Sequence, residues 1–329
     1  MKFTVPSICN FLRQSALADT MEGSGVHAFF VRLWFRLATD ERCEEWPDGF
    51  CGTGFNNSVP TEPNPIREQV IAPLGGEVNV AKAAVCHLRN AMCSMDRGEE
   101  ESLFSFQTVL VIPRLAIVPE LAYALLAQNA IRHVTRAMLA FATLPPTGLQ
   151  TDAPSASLSY VTSNIAFTDS ITWATQALNA GILIVLLRYE TLYTSSDPYI
   201  TRRNVQLLEE ILPRYLIFLS VVQSARKAVK KAKKSGAANG ISRSSDVWAA
   251  WVLFGYLVEQ RVELAGRSAR QKNVCNRCGR IEPKRRAFRQ CSGCTDLYYC
   301  SSDCQRHDWD AQHRQDCKKI QRNRRGIFA

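Results

Sequence analysis

The sequence predicts a mainly α-helical protein, with a helical N-terminal body followed by a small C-terminal module that is held together by metal. Apolar residues recur at helical spacing through most of the first 225 residues. The chain has 329 residues, of which 46% are hydrophobic, and this is ample for a folded core. Of its 12 cysteines, seven lie between Cys275 and Cys317.

The first half of the body contains two clear helical patterns. The first spans residues 26–38 and has an apolar stripe that includes Trp34. A loop rich in proline and glycine is predicted over 41–65, and a second helix over 78–95. The segment 105–117 contains a β-branched run, so it favours a short strand or extended chain interrupted by a proline.

The second half of the body is predicted as three longer helices. One covers 120–143, with Pro119 at its first position and a Pro-Pro pair after its end. A polar loop follows over 149–158. A central helix is predicted over 171–188, because this segment is apolar on most faces, and a further helix, kinked by a proline, over 204–229.

Charge separates the C-terminal third from the rest of the chain. Residues 226–329 contain 24 basic and 9 acidic residues, a net charge of +15 within a whole-chain charge of +10. The resulting domain prediction is a helical body over 1–225, a basic hinge over 226–245, a helix over 246–270 that leads to the metal module at 271–320, and a basic tail over 321–329. Ser245 or Ser244 caps the leading helix.

No secretory signal or membrane span is expected from the sequence. The longest apolar stretch, 177–187, has 11 residues, whereas a spanning helix needs about 20. We therefore expect a soluble intracellular protein, nuclear or cytoplasmic with the nucleus favoured, and no membrane partner. In that environment thiols stay reduced, so clustered cysteines are typical of metal binding.

Eight potential ligands near the C-terminus form four close pairs with the spacers of zinc-binding proteins: Cys275-x2-Cys278, Cys291-x2-Cys294, Cys300-x3-Cys304 and His313-x3-Cys317. Each zinc ion takes four such ligands, so eight ligands predict two ions. His307 competes with His313 as the histidine ligand, but only His313 stands four positions before Cys317. Spacing alone leaves open whether the pairs combine in sequence or interleave.

This string resembles the MYND-type zinc finger, and the resemblance extends beyond the ligands to the Tyr299-Cys300 pair, Gln305 and Trp309. In that family the two sites interleave. The resemblance therefore implies one zinc site formed by Cys275, Cys278, Cys300 and Cys304, and a second formed by Cys291, Cys294, His313 and Cys317. Here three residues separate Trp309 from His313, one more than is usual in the family.

Two filled tetrahedra leave no open position for water or substrate, so these sites are predicted to be structural rather than catalytic. The resemblance implies a docking platform for short proline-containing peptides, with Gln305 and Trp309 as partner-binding candidates. Each of the two residues has a structural alternative: Trp309 could fill the core of the small domain, and Gln305 could cap a helix or bond to the backbone. A helical body with a C-terminal finger also resembles fungal MYND-bearing proteins. We therefore expect a non-enzymatic adaptor, with a role in transcriptional regulation.

Two other functions compete with the adaptor as interpretations of the sequence. A MYND-linked protein-lysine methyltransferase needs an Asn-His cofactor motif and sequence after the finger, but the chain has no Asn-His dipeptide. A nucleic-acid-binding protein is suggested by three basic clusters, which equally suit an import signal or a solvated surface: Lys230, Lys231, Lys233 and Lys234; residues 284–286; and Lys318, Lys319, Arg322, Arg324 and Arg325. Two further groups, Cys43 with Cys51 and Cys86 with His87 and Cys93, lack this tight pairing, so no third metal site is predicted and the four cysteines are expected to be free thiols.

Overall fold

The computed structural model describes residues 26–39, 59–96, 102–143, 152–168, 171–193, 198–270, 273–284 and 287–326. They form two compact units, Met1–Val262 and Glu263–Ala329. The first unit is helical and the second is a small cysteine-rich finger, so the predicted fold class is confirmed.

The described residues of the body are mostly helical. The helix Pro63–Ile66 continues into a five-residue π-helical stretch, Arg67–Ile71, and the helix Pro198–Gln206 continues into another, Leu207–Ile211. The helices are α1 (Val26–Thr39), α2 (Pro63–Ile66), α3 (Glu77–Asp96), α4 (Ser102–Leu115), α5 (Pro119–Ala127), α6 (Ala130–Phe141), α7 (Asp152–Phe167), α8 (Ile171–Ala180), α9 (Ile182–Tyr193), α10 (Pro198–Gln206), α11 (Leu212–Arg214), α12 (Leu219–Lys234) and α13 (Asp246–Arg270).

Helices α1 and α3 agree with their predicted spans, and Pro119 lies in the first turn of α5 as expected. Ser245 rather than Ser244 caps α13, since its Oγ accepts a hydrogen bond from the Trp248 backbone N–H at 3.2 Å. Most of the predicted 41–65 loop and the Pro-Pro pair at 145–146 lie outside the described residues.

Two predicted helices are each a pair of shorter ones. The segment 120–143 breaks between α5 and α6, where Asn129 adopts a left-handed conformation with φ of 60°. The segment 171–188 breaks at Gly181, whose φ is 109°. A Cβ at Gly181 would lie 3.1 Å from Leu139 Cδ2, so glycine suits both the turn and the close approach. Apolar periodicity continues across both breaks and therefore concealed them.

The prediction of a strand or extended chain over 105–117 was wrong, because this segment lies in α4 and Pro113 is accommodated in its last turn. The predicted loop over 149–158 was also wrong from residue 152 onward, where α7 begins. Burial explains both differences, since Val111 and Ile112 in α4 and Leu158 in α7 belong to the core. Tertiary packing thus overrides local preference at these positions.

The predicted helix over 204–229 is interrupted rather than kinked. Pro213 lies in the first turn of the short α11, and α12 begins only at Leu219. The predicted basic hinge is helical as far as Lys234, because Ala225, Ala228, Val229 and Ala232 provide a buried apolar stripe beneath its charges. Turns occupy the rest of the segment up to Ser245.

The core of the body is continuous across the helices. Helix α3 packs against α1, α4, α5 and α6, while α8 packs against α6 and α12. Trp34 of α1 stacks on His87 of α3 with ring centroids 4.9 Å apart. His87 Nε2 lies 2.7 Å from the Trp34 carbonyl oxygen, and burial lowers the pKa of His87 to about 4. His87 is thus a neutral core residue at physiological pH.

Within the described part of the chain, no single helix has both the length and the apolar character needed to cross a membrane. Helices α8 and α9 meet those criteria only when taken together, and they are bent by 62° at Gly181.

The finger contains one small antiparallel hairpin and a C-terminal helical segment. Strand β1 (Arg289–Gln290) pairs with β2 (Tyr298–Tyr299). Helix α14 (Ser302–Asp308) is followed by a π-helical turn, Trp309–His313, and by α15 (Arg314–Gly326). The predicted basic tail is therefore helical to residue 326, whereas residues 327–329 and the side chains from 322 onward lie outside the described residues.

Candidate zinc centres

The first cluster combines a knuckle with the beginning of α14. Cys275 and Cys278 lie in the knuckle, Cys300 follows β2, and Cys304 lies in the first turn of α14. The Cys300 sulfur is 3.6 Å from the sulfur of Cys278 and 3.6 Å from that of Cys304. All four sulfurs lie within 4.8 Å of one another.

The second cluster is more deeply buried than the first. It joins the second knuckle, which contains Cys291 and Cys294, to the C-terminal helical segment. It consists of Cys291, Cys294, His313 and Cys317, all of them buried. His313 Nε2 lies 3.3 Å from the Cys291 sulfur and 3.7 Å from the Cys294 sulfur, and the Cys291 and Cys317 sulfurs are 4.0 Å apart. Nε2 is therefore the histidine atom that faces the other ligands.

These distances fit metal coordination rather than disulfide bonding. Four ligands at a Zn–S distance of about 2.3 Å are about 3.8 Å apart at the corners of a tetrahedron. The sulfur separations of 3.6 to 4.0 Å agree with that edge. A disulfide needs about 2.05 Å between sulfurs, and the seven finger cysteines are free thiols. The two clusters fit two structural zinc ions, grouped in the interleaved way that the resemblance implied.

The knuckle backbone favours thiolate, which is the form of cysteine that binds zinc. Burial raises the pKa of the Cys275 thiol, but backbone N–H groups, including those of Cys300 and Cys278, lower it to about 6. At Cys291, burial again raises the pKa of the thiol. Hydrogen bonds oppose this effect, the largest of them being the bond with His313, and the pKa is lowered to about 6.

Neighbouring sulfurs hold their protons in the metal-free protein. The hydrogen bond with Cys304 is the main cause that raises the pKa of Cys300, to about 12. Burial, followed by the contact with Cys291, raises the pKa of Cys317 to about 11. Four sulfurs this close cannot all ionise unless a cation is present, and a divalent ion meets that need.

Two glycines shape the knuckles and had not been singled out in the sequence. Gly279 has a φ of 69°, where the chain turns after Cys278. Gly293 lies between the two cysteines of the second knuckle, and a Cβ there would lie 2.7 Å from the Cys317 sulfur. Only glycine leaves room for that ligand. A Gly within a C-x-x-C spacer is the sequence signal that could have indicated this position.

Glu282 is a buried support that sequence reasoning missed. It is 1% exposed, and its carboxylate accepts hydrogen bonds from the Asn273 side-chain amide at 2.6 Å and from the Phe288 backbone N–H at 3.0 Å. The bond from Phe288 is the main cause that lowers the pKa of Glu282. Glu282 thereby joins the chain before the first knuckle to the chain before the second.

Asp308 joins the first knuckle to the end of α14. Its Oδ2 accepts a hydrogen bond from the hydroxyl of the buried Tyr299 at 2.6 Å and another from the Asn276 side-chain amide at 2.8 Å. Burial is the main cause that raises the pKa of Tyr299, and the bond to Asp308 adds to it. The Tyr299 ring also packs against His313, with centroids 6.1 Å apart. This network links the surroundings of both clusters.

The additional residue between Trp309 and His313 is accommodated by the π-helical turn. A π-turn takes one residue more than an α-turn, because its hydrogen bonds run from i to i+5. His313, four positions after Trp309, therefore faces the second cluster. In an uninterrupted α-helix, a residue three positions after Trp309 would point in about the same direction. Trp309 packs edge-on against His313 with centroids 5.6 Å apart and keeps 37% of its surface exposed. Gln305 is half-buried one turn earlier.

The comparisons with known proteins concern this same segment. Residues 275–317 match the family model of the MYND finger. The segment is a MYND finger. A 45-residue stretch is 47% identical to an F-box protein of Arabidopsis thaliana and covers 14% of this chain and 12% of that protein. A 43-residue stretch is 48% identical to a second Arabidopsis F-box protein and covers 13% of each. The chain thus spans about an eighth of either relative, and no solved structure matches it.

The remaining candidate ligands do not join either zinc cluster of the MYND finger. His307 is exposed on α14. Among the described residues, the two finger clusters are the groups that could hold a metal ion, so Cys86, His87 and Cys93 do not form a third. Cys43 and Cys51 lie outside the described residues.

Proposed function

We propose that this protein is a non-enzymatic adaptor whose MYND finger binds a short proline-containing peptide of a partner protein. The MYND finger is a protein-interaction domain, and its eight ligands complete two tetrahedra. Zinc with four protein ligands has no position left for water or substrate, which argues against catalysis at these ions. The further step, to transcriptional regulation in the nucleus, rests on the family resemblance alone.

The observation that carries the proposal is the exposed surface of Trp309 beside Gln305. The two residues are four positions apart on successive helical turns, so they share one face. Trp309 is anchored on one edge by His313, while 37% of its surface remains available to a partner. A rigid, half-exposed indole is a typical anchor for a protein interface.

The same pair suits a proline-containing ligand. An extended polyproline II segment offers flat apolar rings together with backbone carbonyls that have no internal hydrogen bonds. The Trp309 indole would pack against a proline ring of the peptide, and the Gln305 side-chain amide would donate a hydrogen bond to a backbone carbonyl of the peptide. Gln305 forms no side-chain hydrogen bond with another described residue, so its amide is available.

The test measures the anisotropy of fluorescein-labelled proline-containing peptides with the full zinc-loaded chain. Trp309→Ala should weaken binding about tenfold or more, the loss expected for an interface anchor, and should leave two zinc ions per chain. Tyr256→Ala is the matched control, because Tyr256 is a 60% exposed aromatic of α13 in the body. Unchanged binding by the Trp309 variant, or loss of zinc from it, would contradict the proposal.

A further inference from the structure

Helix α12 has one apolar face and one strongly basic face. Its apolar face is buried in the body through Val221, Val222, Ala225, Ala228, Val229 and Ala232. Six basic side chains are exposed along its C-terminal half: Arg226, Lys227, Lys230, Lys231, Lys233 and Lys234. We name these six residues the basic face.

Within the described part of the chain, no acidic group is paired with the basic face. Helix α12 contains no aspartate or glutamate, and none of the six cations forms an ion pair with another described residue. Of the two helices that pack most extensively against α12, α8 has no acidic residue and α9 has only Glu190, which is buried. Among the described residues, these six positive charges therefore face solvent without an ion-pair partner.

The stability of the helix does not account for all of these charges. Cations in the last turn interact favourably with a helix C-terminus, and this explains Lys231, Lys233 and Lys234. Arg226 and Lys227 lie about two turns earlier, where the favourable interaction with the helix C-terminus is negligible. Like charges at positions i and i+4, such as Arg226 and Lys230, destabilise a helix through mutual repulsion. A polyanionic ligand would relieve that repulsion.

The dimensions of the basic face fit a phosphate backbone. From Arg226 to Lys234 the helix rises about 12 Å, at about 1.5 Å per residue. The same length spans between three and four nucleotides of one strand, at about 3.4 Å each. Five of the six cations are lysines, which bind phosphate as point charges rather than as planar forks. The fit is to phosphate groups and not to base edges.

Other anionic surfaces fit this face less well. A helix that lies in a membrane interface inserts its apolar face, but the apolar face of α12 is already buried in the body. Proteins that bind single strands stack bases on aromatic side chains, and α12 has none. A duplex has the denser line of phosphates, with one charge per about 1.7 Å.

We propose that the basic face of α12 binds the phosphate backbone of duplex nucleic acid without reading its sequence. This site lies on the body, whereas the proposed peptide site lies on the finger.

The test is the anisotropy of a labelled 20-base-pair DNA duplex titrated with the zinc-loaded full chain at 50–200 mM NaCl. With four or five phosphate contacts, the logarithm of the association constant should fall with the logarithm of salt at a slope of about −4. That slope corresponds to a loss of about 100-fold or more across this range. Replacing Lys230, Lys231, Lys233 and Lys234 together by glutamine should reduce the magnitude of the slope by about 3 to 4.

Two matched variants and two probes make the result decisive. The same four lysines changed to arginine should bind as the parent does, because the charge is kept. Lys318→Gln with Lys319→Gln removes exposed charge from the finger and should also bind normally. The proposal would be overturned by full binding of the glutamine variant, by loss of binding in the finger variant, or by tighter binding to anionic vesicles or polyglutamate at equal salt. Far-UV circular dichroism checks that the glutamine variant is folded.

Discussion

At the scale of single residues, the finger depends on side chains outside the ligand set. Tyr299, Asp308 and Asn276 form one hydrogen-bonded network between the first knuckle and α14. Side chains around a metal site help to orient its ligands, and their mutation typically costs about 10- to 100-fold in metal affinity. They also restrict the position of His313, on which the Tyr299 ring packs.

We expect Tyr299→Phe to destabilise the finger by about 1 kcal/mol, because it removes a buried hydrogen bond while keeping the ring. The rate of zinc transfer to a colorimetric chelator should rise accordingly. Tyr298→Phe is the control, since Tyr298 is half-buried and its hydroxyl accepts from Gln290 alone among the described residues. Equal transfer rates for the two variants would contradict a supporting role for the Tyr299 hydroxyl.

The ligands could be predicted from sequence because chemistry fixes both their type and their spacing. Glu282 and Asp308 could not, since an acidic residue in a charged segment resembles any solvated surface residue. Their importance depends on burial and on donors that are distant in sequence, such as Phe288 for Glu282. Only the folded chain brings those donors to the carboxylates.

At the scale of elements, the π-helical turn Trp309–His313 keeps the histidine in register with the second cluster. A one-residue insertion in an α-helix rotates every later side chain by about 100°. The π-turn absorbs that rotation locally, so Cys317 on α15 still reaches Cys291 at 4.0 Å.

Deleting Ala311, an exposed residue of the π-turn, should convert this turn to α-helix and preserve both zinc ions, as measured by metal analysis of purified protein. Deleting Gln315, an exposed residue of α15, is the contrasting variant. It rotates Cys317 by about 100° relative to His313, and no π-turn lies between these two ligands to absorb the change, so about one zinc ion should be lost. Loss of zinc from the Ala311 deletion would show that the extra residue has another role.

Element boundaries in the body were harder to predict than element type. Periodicity identified helical segments correctly around Asn129 and Gly181, but it could not detect the breaks, because both flanking helices are apolar. The strand proposed for 105–117 failed for a related reason. Val111 and Ile112 are β-branched, yet the core they enter is formed by helices.

At the scale of the molecule, the two units are stabilised by different means. The body has an extensive hydrophobic core that contains no zinc ligand. Among its described residues, the finger has six buried members of its core cluster, and four of these are metal ligands: Cys275, Cys291, Cys294 and Cys317. Without metal, Phe288 and Tyr299 are too few to hold its fold.

Removing zinc with excess chelator should therefore unfold the finger and leave the body folded. Hydrogen exchange followed by mass spectrometry should show lost protection within 263–329 and retained protection in α3, α6 and α9. Cys291→Ser should reproduce this result, whereas Cys93→Ser, which removes an exposed thiol of the body, should retain two zinc ions. Loss of body protection on chelation would refute independent stabilisation.

The sequence by itself determined that the chain is helical, that its C-terminal module binds two zinc ions, and which eight residues are candidate ligands. These follow from local periodicity and from the fixed chemistry of cysteine and histidine. Tertiary structure decided where helices break, that the ligand pairs interleave, and that Glu282 and Asp308 are structural supports. It also showed that the predicted hinge is helical as far as Lys234, with one basic face. Those features depend on contacts between residues far apart in the chain, which neither spacing nor composition can specify.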